Sequence, residues 1–222
     1  MDTNKNSYTI IYATVMVIVV AVVLALAASL LKERQQRNVE IETKQMILKS
    51  VKLGLDANAQ KDKAVYIEDL YSKYVTDTTI MGNGGELKLY IVRLDSSKKL
   101  YVIPLRGVGL WGPVWGYISL ESDFNTIYGA TFDHKSETPG LGAEIATANF
   151  YNQFSGKQIF DPSGKFVSVM VVKGGADASN KHQVDAISGG TITSKAVEEM
   201  LYKNINEYRD FFSANAIINL EN

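Results

Sequence analysis

The 222-residue sequence predicts an α+β protein that is held in a membrane by one N-terminal helix and continues into one folded domain. Two observations predict it: an unbroken apolar run over residues 10–31, and a mixture of helix-like and strand-like apolar periodicity after that run. A hydrophobic content of 46% and a charged content of 21% are typical of a folded chain. The net charge of -1 gives no broad attraction for nucleic acid, so no nucleic-acid partner is expected.

The apolar run predicts a single membrane crossing in contact with lipid. As a helix, residues 10–31 span roughly 33 Å, enough for a hydrocarbon core of about 30 Å. We therefore assign residues 1–7 to a short tail and residues 8–31 to the transmembrane helix. The alternative is a cleavable signal peptide, because residues 25–27 (Ala-Leu-Ala) have the small-x-small pattern of a cleavage site. The apolar run is longer than the roughly 15-residue upper limit of a signal-peptide core, which favours a retained anchor.

Charge around the span bears on orientation and transport. Lys32, Arg34 and Arg37 follow the span, and by the positive-inside rule they predict a cytoplasmic domain. No charged residue lies between Asn6 and Leu31. Because ion pathways through membranes are normally marked by ionisable side chains, any ion transport requires partner subunits.

After the span, residues 32–54 predict a juxtamembrane helical segment that Gly54 ends, and residues 55–222 predict the α+β domain. The period of the apolar residues changes from helix-like to alternating near residue 87. Helices are predicted over residues 65–74, 144–154 and 194–208. Strands are predicted over residues 87–91, 100–105, 114–120, 127–132 and 166–173.

The sequence has no cysteine and two histidines, His134 and His182. The missing thiols exclude disulfides, iron–sulfur clusters and cysteine nucleophiles. Two histidines are too few for a histidine-rich metal site, and neither accompanies a recognisable serine nucleophile, so we predict no metal and no catalytic residue.

Three glycine-rich segments are the candidate ligand-binding loops: residues 107–116, 137–144 and 185–194. Glycine lets a backbone approach a flat ligand closely, so three such loops in one domain can form the floor of one site. The alternative is that each is only a turn.

The third segment leads into a predicted amphipathic helix. Thr193 is a natural N-cap, and the free N–H groups and positive dipole at a helix start would stabilise a phosphate near Thr191, with Lys195 adding positive charge. The alternative is that the two threonines only cap the helix. The GxxxxGK[ST] spacing of a nucleotide P-loop is missing.

Four motifs together give a specific resemblance. They are G-L-W-G at residues 109–112, H-x-x-E-T-P-G-L-G at residues 134–142, V-K-G at residues 172–174 and D-x-x-S-G-G-T-x-T-S at residues 185–194. Behind one N-terminal span, this combination resembles the NqrC family of the sodium-translocating NADH:quinone oxidoreductases over essentially the whole length. The last motif alone is shared with the RnfG family of the Rnf electron-transport complexes.

The resemblance implies FMN bound covalently, through its phosphate, to Thr191. Position 190 is Gly where the family usually has Ala, and the smaller residue leaves the site accessible. A separate flavin transferase would make the ester, with Asp185 and Ser188 as recognition positions; Asp185 has the alternative role of capping its own loop. The implied flavin contacts are Trp111, Glu137, Thr138, Leu141, Gly142, Lys173, Gly174, Ser188, Gly189, Gly190, Ile192 and Thr193. Trp111 has the alternative of a core aromatic and Lys173 that of a solvated strand end.

The resemblance also implies a cellular setting. The chain would be an electron-transfer subunit in the bacterial cytoplasmic membrane, working with the other subunits of the complex and having no complete activity alone. The family places the flavin domain in the periplasm, against the positive-inside prediction, and we follow the family. The alternatives are an Rnf-type subunit and a membrane-tethered binding module without redox function.

Overall fold

The computed structural model describes residues 6–82 and 84–220, and side chains as far as residue 215. Residues 1–5 of the predicted tail and residues 221–222 of the predicted domain lie outside the described part. The chain divides into two compact units, Met1–Thr43 and Lys44–Asn222.

The first helix, α1, runs from Asn6 to Ser50. It contains the predicted membrane segment, residues 8–31, whose apolar side chains are exposed. Within the described residues, α1 is the one helix whose length and composition suit a membrane crossing. The structure therefore agrees with a single-pass anchor.

The predicted end of this helix at Gly54 is wrong, because α1 stops at Ser50. The N–H of Leu53 donates to the carbonyl of Leu48, and the N–H of Lys52 donates to that of Lys49, both at 2.9 Å. Lys52 has φ +61°, the left-handed conformation that ends many helices and that glycine usually supplies. Its ammonium lies 4.6 Å from the centre of the Tyr128 ring and donates to Ser155 Oγ at 2.9 Å. These contacts help to stabilise a lysine in this conformation.

The second unit is a five-stranded antiparallel meander with helices on both faces, followed by a small parallel pair of strands. The bounds of its elements after α1 are α2 Lys63–Tyr74, β1 Val75–Gly82, β2 Gly85–Arg93, β3 Lys99–Val108, β4 Pro113–Leu120, β5 Ile127–His134, α3 Ala148–Tyr151, β6 Met170–Val172, β7 Gln183–Asp185, α4 Thr191–Glu207 and α5 Arg209–Leu220.

Successive side chains of the strands lie on opposite faces of the meander, and both faces are buried. On one face Val102 and Tyr117 pack with Ile47 from the last turns of α1. On the other face Ile103 and Ile118 belong to the main core, which α4 and α5 complete. The predicted apolar stripe of α4 is confirmed, since its members are all buried: Val197, Leu201, Ile205 and Tyr208.

Several sequence-predicted elements differ in extent. Three of these helices and strands were not predicted: β1, β7 and α5. The predicted strand over residues 166–173 is reduced to β6, because Ser168 just before it has φ +61°. The predicted helix over residues 144–154 becomes α3 between two short 3₁₀ helices, Gly142–Ala146 and Asn152–Phe154. In this segment Phe150 and Phe154 both pack on the Phe132 ring, at centroid distances of 5.8 and 5.1 Å.

Candidate functional site

The three glycine-rich loops meet at one open cleft of about 410 Å³. The first joins β3 to β4, the second follows β5, and the third joins β7 to α4. The cleft is lined by Leu110, Trp111, Glu137, Thr138, Leu141, Gly142, Gly189, Gly190, Thr191, Ile192 and Thr193. The three loops therefore form one site and are not three separate turns.

The apolar wall of the cleft consists of exposed side chains. Trp111 is 66% exposed, Ile192 59%, Leu110 47% and Leu141 42%. The alternative that Trp111 is a core aromatic is therefore wrong. Exposed apolar side chains grouped around a concavity are typical of a binding site.

The buried polar centre of the site is the carboxylate of Glu137, a residue that is 4% exposed. Oε1 accepts the backbone N–H of Trp111 at 2.8 Å, and Oε2 accepts the hydroxyl of Thr193. The backbone N–H of Glu137 donates to Nδ1 of His134 at 3.2 Å. One side chain therefore joins the first loop, the second loop and the start of α4.

Glycine is required where the loops approach one another. A Cβ on Gly142 would lie 2.4 Å from Thr193 Oγ1 and 2.5 Å from Glu137 Oε2, closer than real Cβ atoms come. Gly189 has φ +74°, and a Cβ there would meet the Leu141 side chain at 2.5 Å. The floor of the cleft therefore consists of bare backbone.

The start of α4 differs from the prediction. Gly190 is the N-cap and Thr191 the first helical residue, so the prediction that Thr193 caps the helix is wrong. The Thr193 hydroxyl is instead buried and donates to Glu137. The first intrahelical bond runs from the Ser194 N–H to the Gly190 carbonyl, at 2.9 Å. The N–H groups of residues 191–193 precede it and can hold an anion.

Position 190 is more crowded than the sequence suggests. A methyl group there would lie 2.9 Å from Ile187 Cγ2 and 3.3 Å from the backbone carbonyl carbon of Leu141. An alanine would therefore displace the Ile187 methyl by a few tenths of an ångström. Glycine at this position relieves a close contact.

Four of the predicted site residues do not line the cleft: Lys173, Gly174, Asp185 and Ser188. Lys173 and Gly174 follow β6 and are exposed, while β6 pairs in parallel with β7, which leads into the third loop. The two residues therefore lie beside the loop but outside the cleft. The Asp185 carboxylate accepts the Ala176 N–H at 2.6 Å, so Asp185 caps the loop after β6.

Lys195, the cation predicted to stabilise a phosphate near Thr191, already forms an ion pair within the protein. Lys195 Nζ forms an ion pair with Glu198 Oε1, and this contact raises the pKa of Lys195. Glu198 Oε2 also accepts the Val171 N–H at 2.8 Å, which fixes the pair against β6. An anion at Thr191 therefore depends first on the backbone N–H groups.

The two histidines have structural partners. His134 Nδ1 accepts from Glu137, and His182 Nδ1 lies 2.7 Å from the Gln158 carbonyl oxygen. Over residues 6–82 and 84–220, no group of three or more His, Asp or Glu side chains is placed to hold a metal ion.

Leu110 is the residue of the cleft lining that the sequence did not predict, although it lies inside the G-L-W-G motif.

Comparison with known proteins agrees with this geometry. The FMN-binding domain family matches residues 109–206, which include the whole cleft. The C subunit of the Na(+)-translocating NADH-quinone reductase of Vibrio vulnificus is 29% identical over 215 residues, covering 82% of this chain and 83% of that protein. The corresponding protein of Pseudomonas aeruginosa is 37% identical over 117 residues, covering 51% and 44%.

Solved structures extend the similarity to the fold. The crystal structure of the corresponding C subunit from Parabacteroides distasonis has a TM-score of 0.72 and 38% identity, covering 82% of this chain and 97% of that chain. The structure of Shewanella oneidensis NqrC has a TM-score of 0.67 and 25% identity, covering 82% and 98%. The chain belongs to the NqrC family, the C subunits of the Na⁺-translocating NADH-quinone reductases, and carries that family's FMN-binding domain.

Proposed function

We propose that this chain relays electrons within a Na⁺-translocating NADH:quinone reductase through FMN esterified to Thr191. The observation that carries the proposal is the position of the Thr191 hydroxyl. It is exposed at the first residue of α4, on the edge of an apolar cleft with a glycine floor. No other hydroxyl in the described residues combines an exposed helix start with this cleft.

The residues fit FMN in size and chemistry. The cleft volume of about 410 Å³ lies in the range of small-molecule sites. Leu110, Trp111 and Leu141 offer apolar surface to a flat ring. The free N–H groups of residues 191–193 offer donors to a phosphate. When bound, the isoalloxazine supplies one- and two-electron redox chemistry that no side chain here has.

The role of the chain's own residues is to bind and orient the FMN. The ester forms when Thr191 Oγ displaces the leaving group from the phosphorus of an activated FMN donor, a phosphoric anhydride held by the transferase. The hydroxyl proton is lost in that step. We propose Asp185 and Ser188, which lie on the exposed approach to Thr191, as the surface that the transferase recognises. Lys173, at the end of β6, lies beside the same loop and would favour a negatively charged reduced flavin.

Other subunits must supply the remaining functions. The GxGxxG spacing at residues 107–112 connects the strands β3 and β4, so the described residues contain no strand–GxGxxG–helix unit for NADH. Residues 6–31 have no Asp, Glu, Lys, Arg or His side chain for sodium. The similarity to NqrC proteins over 82% of this chain supports the quinone reductase over an Rnf-type complex.

Covalent attachment is tested on the full chain made in cells that contain the transferase. We expect a fluorescent flavin band on a denaturing gel and a mass increase equal to FMN less one water. Fragment spectra should place that mass on Thr191 and leave Thr193 unmodified. A control preparation from cells without the transferase should lack both signals. An unmodified chain from the first cells would contradict the proposal and favour a binding module without redox function.

We also propose, from the family, that the domain faces the periplasm, although Lys32, Arg34 and Arg37 follow the span. The absence of native cysteine allows a clean test. Ser96→Cys, in the exposed β2–β3 turn, should react with a membrane-impermeant maleimide in intact cells. Thr3→Cys, ahead of the span, should react only after permeabilisation. The reverse pattern would place the domain in the cytoplasm.

A further inference from the structure

Glu137 combines deep burial with the absence of a counter-charge. It is 4% exposed, and among the ion pairs of the described residues none involves it. Burying a carboxylate without a cation is costly, and such groups are kept where hydrogen bonds or function offset the cost. The position of Glu137 in the cleft wall therefore calls for a role beyond packing.

The surroundings of Glu137 hold its carboxylate in one orientation. Each oxygen accepts one hydrogen bond, from Trp111 N–H and from the Thr193 hydroxyl. Two glycines pack closely against the Glu137 carboxylate. A Cβ on Gly109 would lie 2.6 Å from Oε1, and a Cβ on Gly142 would lie 2.5 Å from Oε2. Any larger residue at these two positions would displace the carboxylate.

The two donors belong to different elements that line the cleft. Trp111 lies in the β3–β4 loop on the apolar wall, and Thr193 lies two residues after the proposed ester site. Through Glu137 the position of the wall and the position of the α4 start become coupled. Loss of that carboxylate would free both segments together.

We infer that Glu137 is the positioning residue of this site: it joins the β3–β4 loop to the start of α4 and fixes a negative charge in the cleft wall. The inference rests on the proposed function for its flavin consequences. The geometric consequence is a Thr191 hydroxyl held in one place for esterification. The electrostatic consequence is a lower flavin reduction potential, because a fixed negative charge opposes the negative charge gained on reduction.

Two substitutions of Glu137 separate the hydrogen-bonded link that it makes from the negative charge that it carries. Glu137→Gln keeps an acceptor for Trp111 N–H and offers an amide donor to Thr193 Oγ1, so it keeps the link and removes the charge. Glu137→Ala removes both. Thr193→Val is a near-isosteric change that removes one donor, and Thr193→Ser restores it. Glu86→Gln, exposed on β2 away from the cleft, is the matched control for loss of a carboxylate.

The geometric arm needs no flavin. In the full chain in detergent, made without the transferase, Glu137→Ala should raise amide hydrogen exchange at least tenfold in both residues 109–112 and residues 191–194. Thr193→Val should raise it in the second segment. Glu137→Gln, Thr193→Ser and Glu86→Gln should match the parent chain. Parent-like exchange in both segments of Glu137→Ala and in Thr193→Val would overturn the link.

The electrostatic arm uses the flavin-loaded chain. The flavin that Glu137→Gln carries should have a more positive reduction potential than the flavin in Glu86→Gln. An equal potential in the two variants would overturn the charge role. If no variant and no parent chain acquires covalent flavin, the proposed function fails, while the exchange experiment still decides the link.

Discussion

Thr191→Ala is expected to abolish covalent flavin, and Thr191→Ser is expected to retain it. The ester needs a hydroxyl at the first residue of α4, and both threonine and serine supply one. The Thr191 hydroxyl is exposed and has no hydrogen-bond partner among the described residues. Its loss should therefore change the unfolding free energy by less than about 0.5 kcal/mol. In-gel flavin fluorescence and the mass of the intact chain measure the outcome.

Thr79→Ala is the control for this substitution, because Thr79 is an exposed threonine on β1 outside the cleft. It should keep full flavin incorporation. Thr193→Ala is expected to destabilise the domain, unlike Thr191→Ala. The buried Thr193 hydroxyl donates to Glu137, and loss of this hydroxyl should lower the unfolding free energy by about 1–3 kcal/mol. A fluorescent band that survives in Thr191→Ala at parent intensity would move the ester to another residue.

Gly142→Ala is expected to damage the site strongly. The new Cβ would lie 2.4 Å from Thr193 Oγ1 and 2.5 Å from Glu137 Oε2, so the hydrogen bond between these side chains must break or shift. Overpacking of this kind costs about 1–3 kcal/mol. We expect a lower unfolding midpoint for the full chain in detergent and at least a tenfold loss of flavin per polypeptide.

Gly112→Ala is the matched control, because it adds the same methyl group in a neighbouring loop. Its Cβ would lie 3.6 Å from Ser136 Oγ, an ordinary contact. This variant should keep parent-like stability and flavin content. If Gly142→Ala were indistinguishable from Gly112→Ala, the close packing around Glu137 would not matter for the site.

Much of the fold follows from local pattern. Alternating apolar residues predict the β2–β3 hairpin, and the 3.6-residue stripe predicts α4. β1 was not predicted because its sequence, Val75–Gly82, is largely polar and becomes a strand by pairing with β2 over its whole length. The end of α1 at Ser50 was missed because a lysine occupies the left-handed position that usually needs glycine.

The site could be predicted in composition but not in orientation. The glycine-rich motifs indicated which loops converge. Seven residues outside the third loop were also predicted to contact the flavin. Of these, Lys173 and Gly174 lie outside the cleft, in the exposed segment that follows β6. The inward direction of Glu137 depends on two partners distant in sequence, so no local pattern could reveal it. The same holds for Thr193, whose partner lies 56 residues away.

The walls of the cleft extend from Leu110 to Thr193, and its last wall is α4. A nascent polypeptide therefore has no complete pocket until α4 has left the ribosome and has docked on the meander. The proposed loading of FMN would accordingly follow folding of the domain. A transferase that recognises the assembled surface would modify finished molecules and pass over truncated ones.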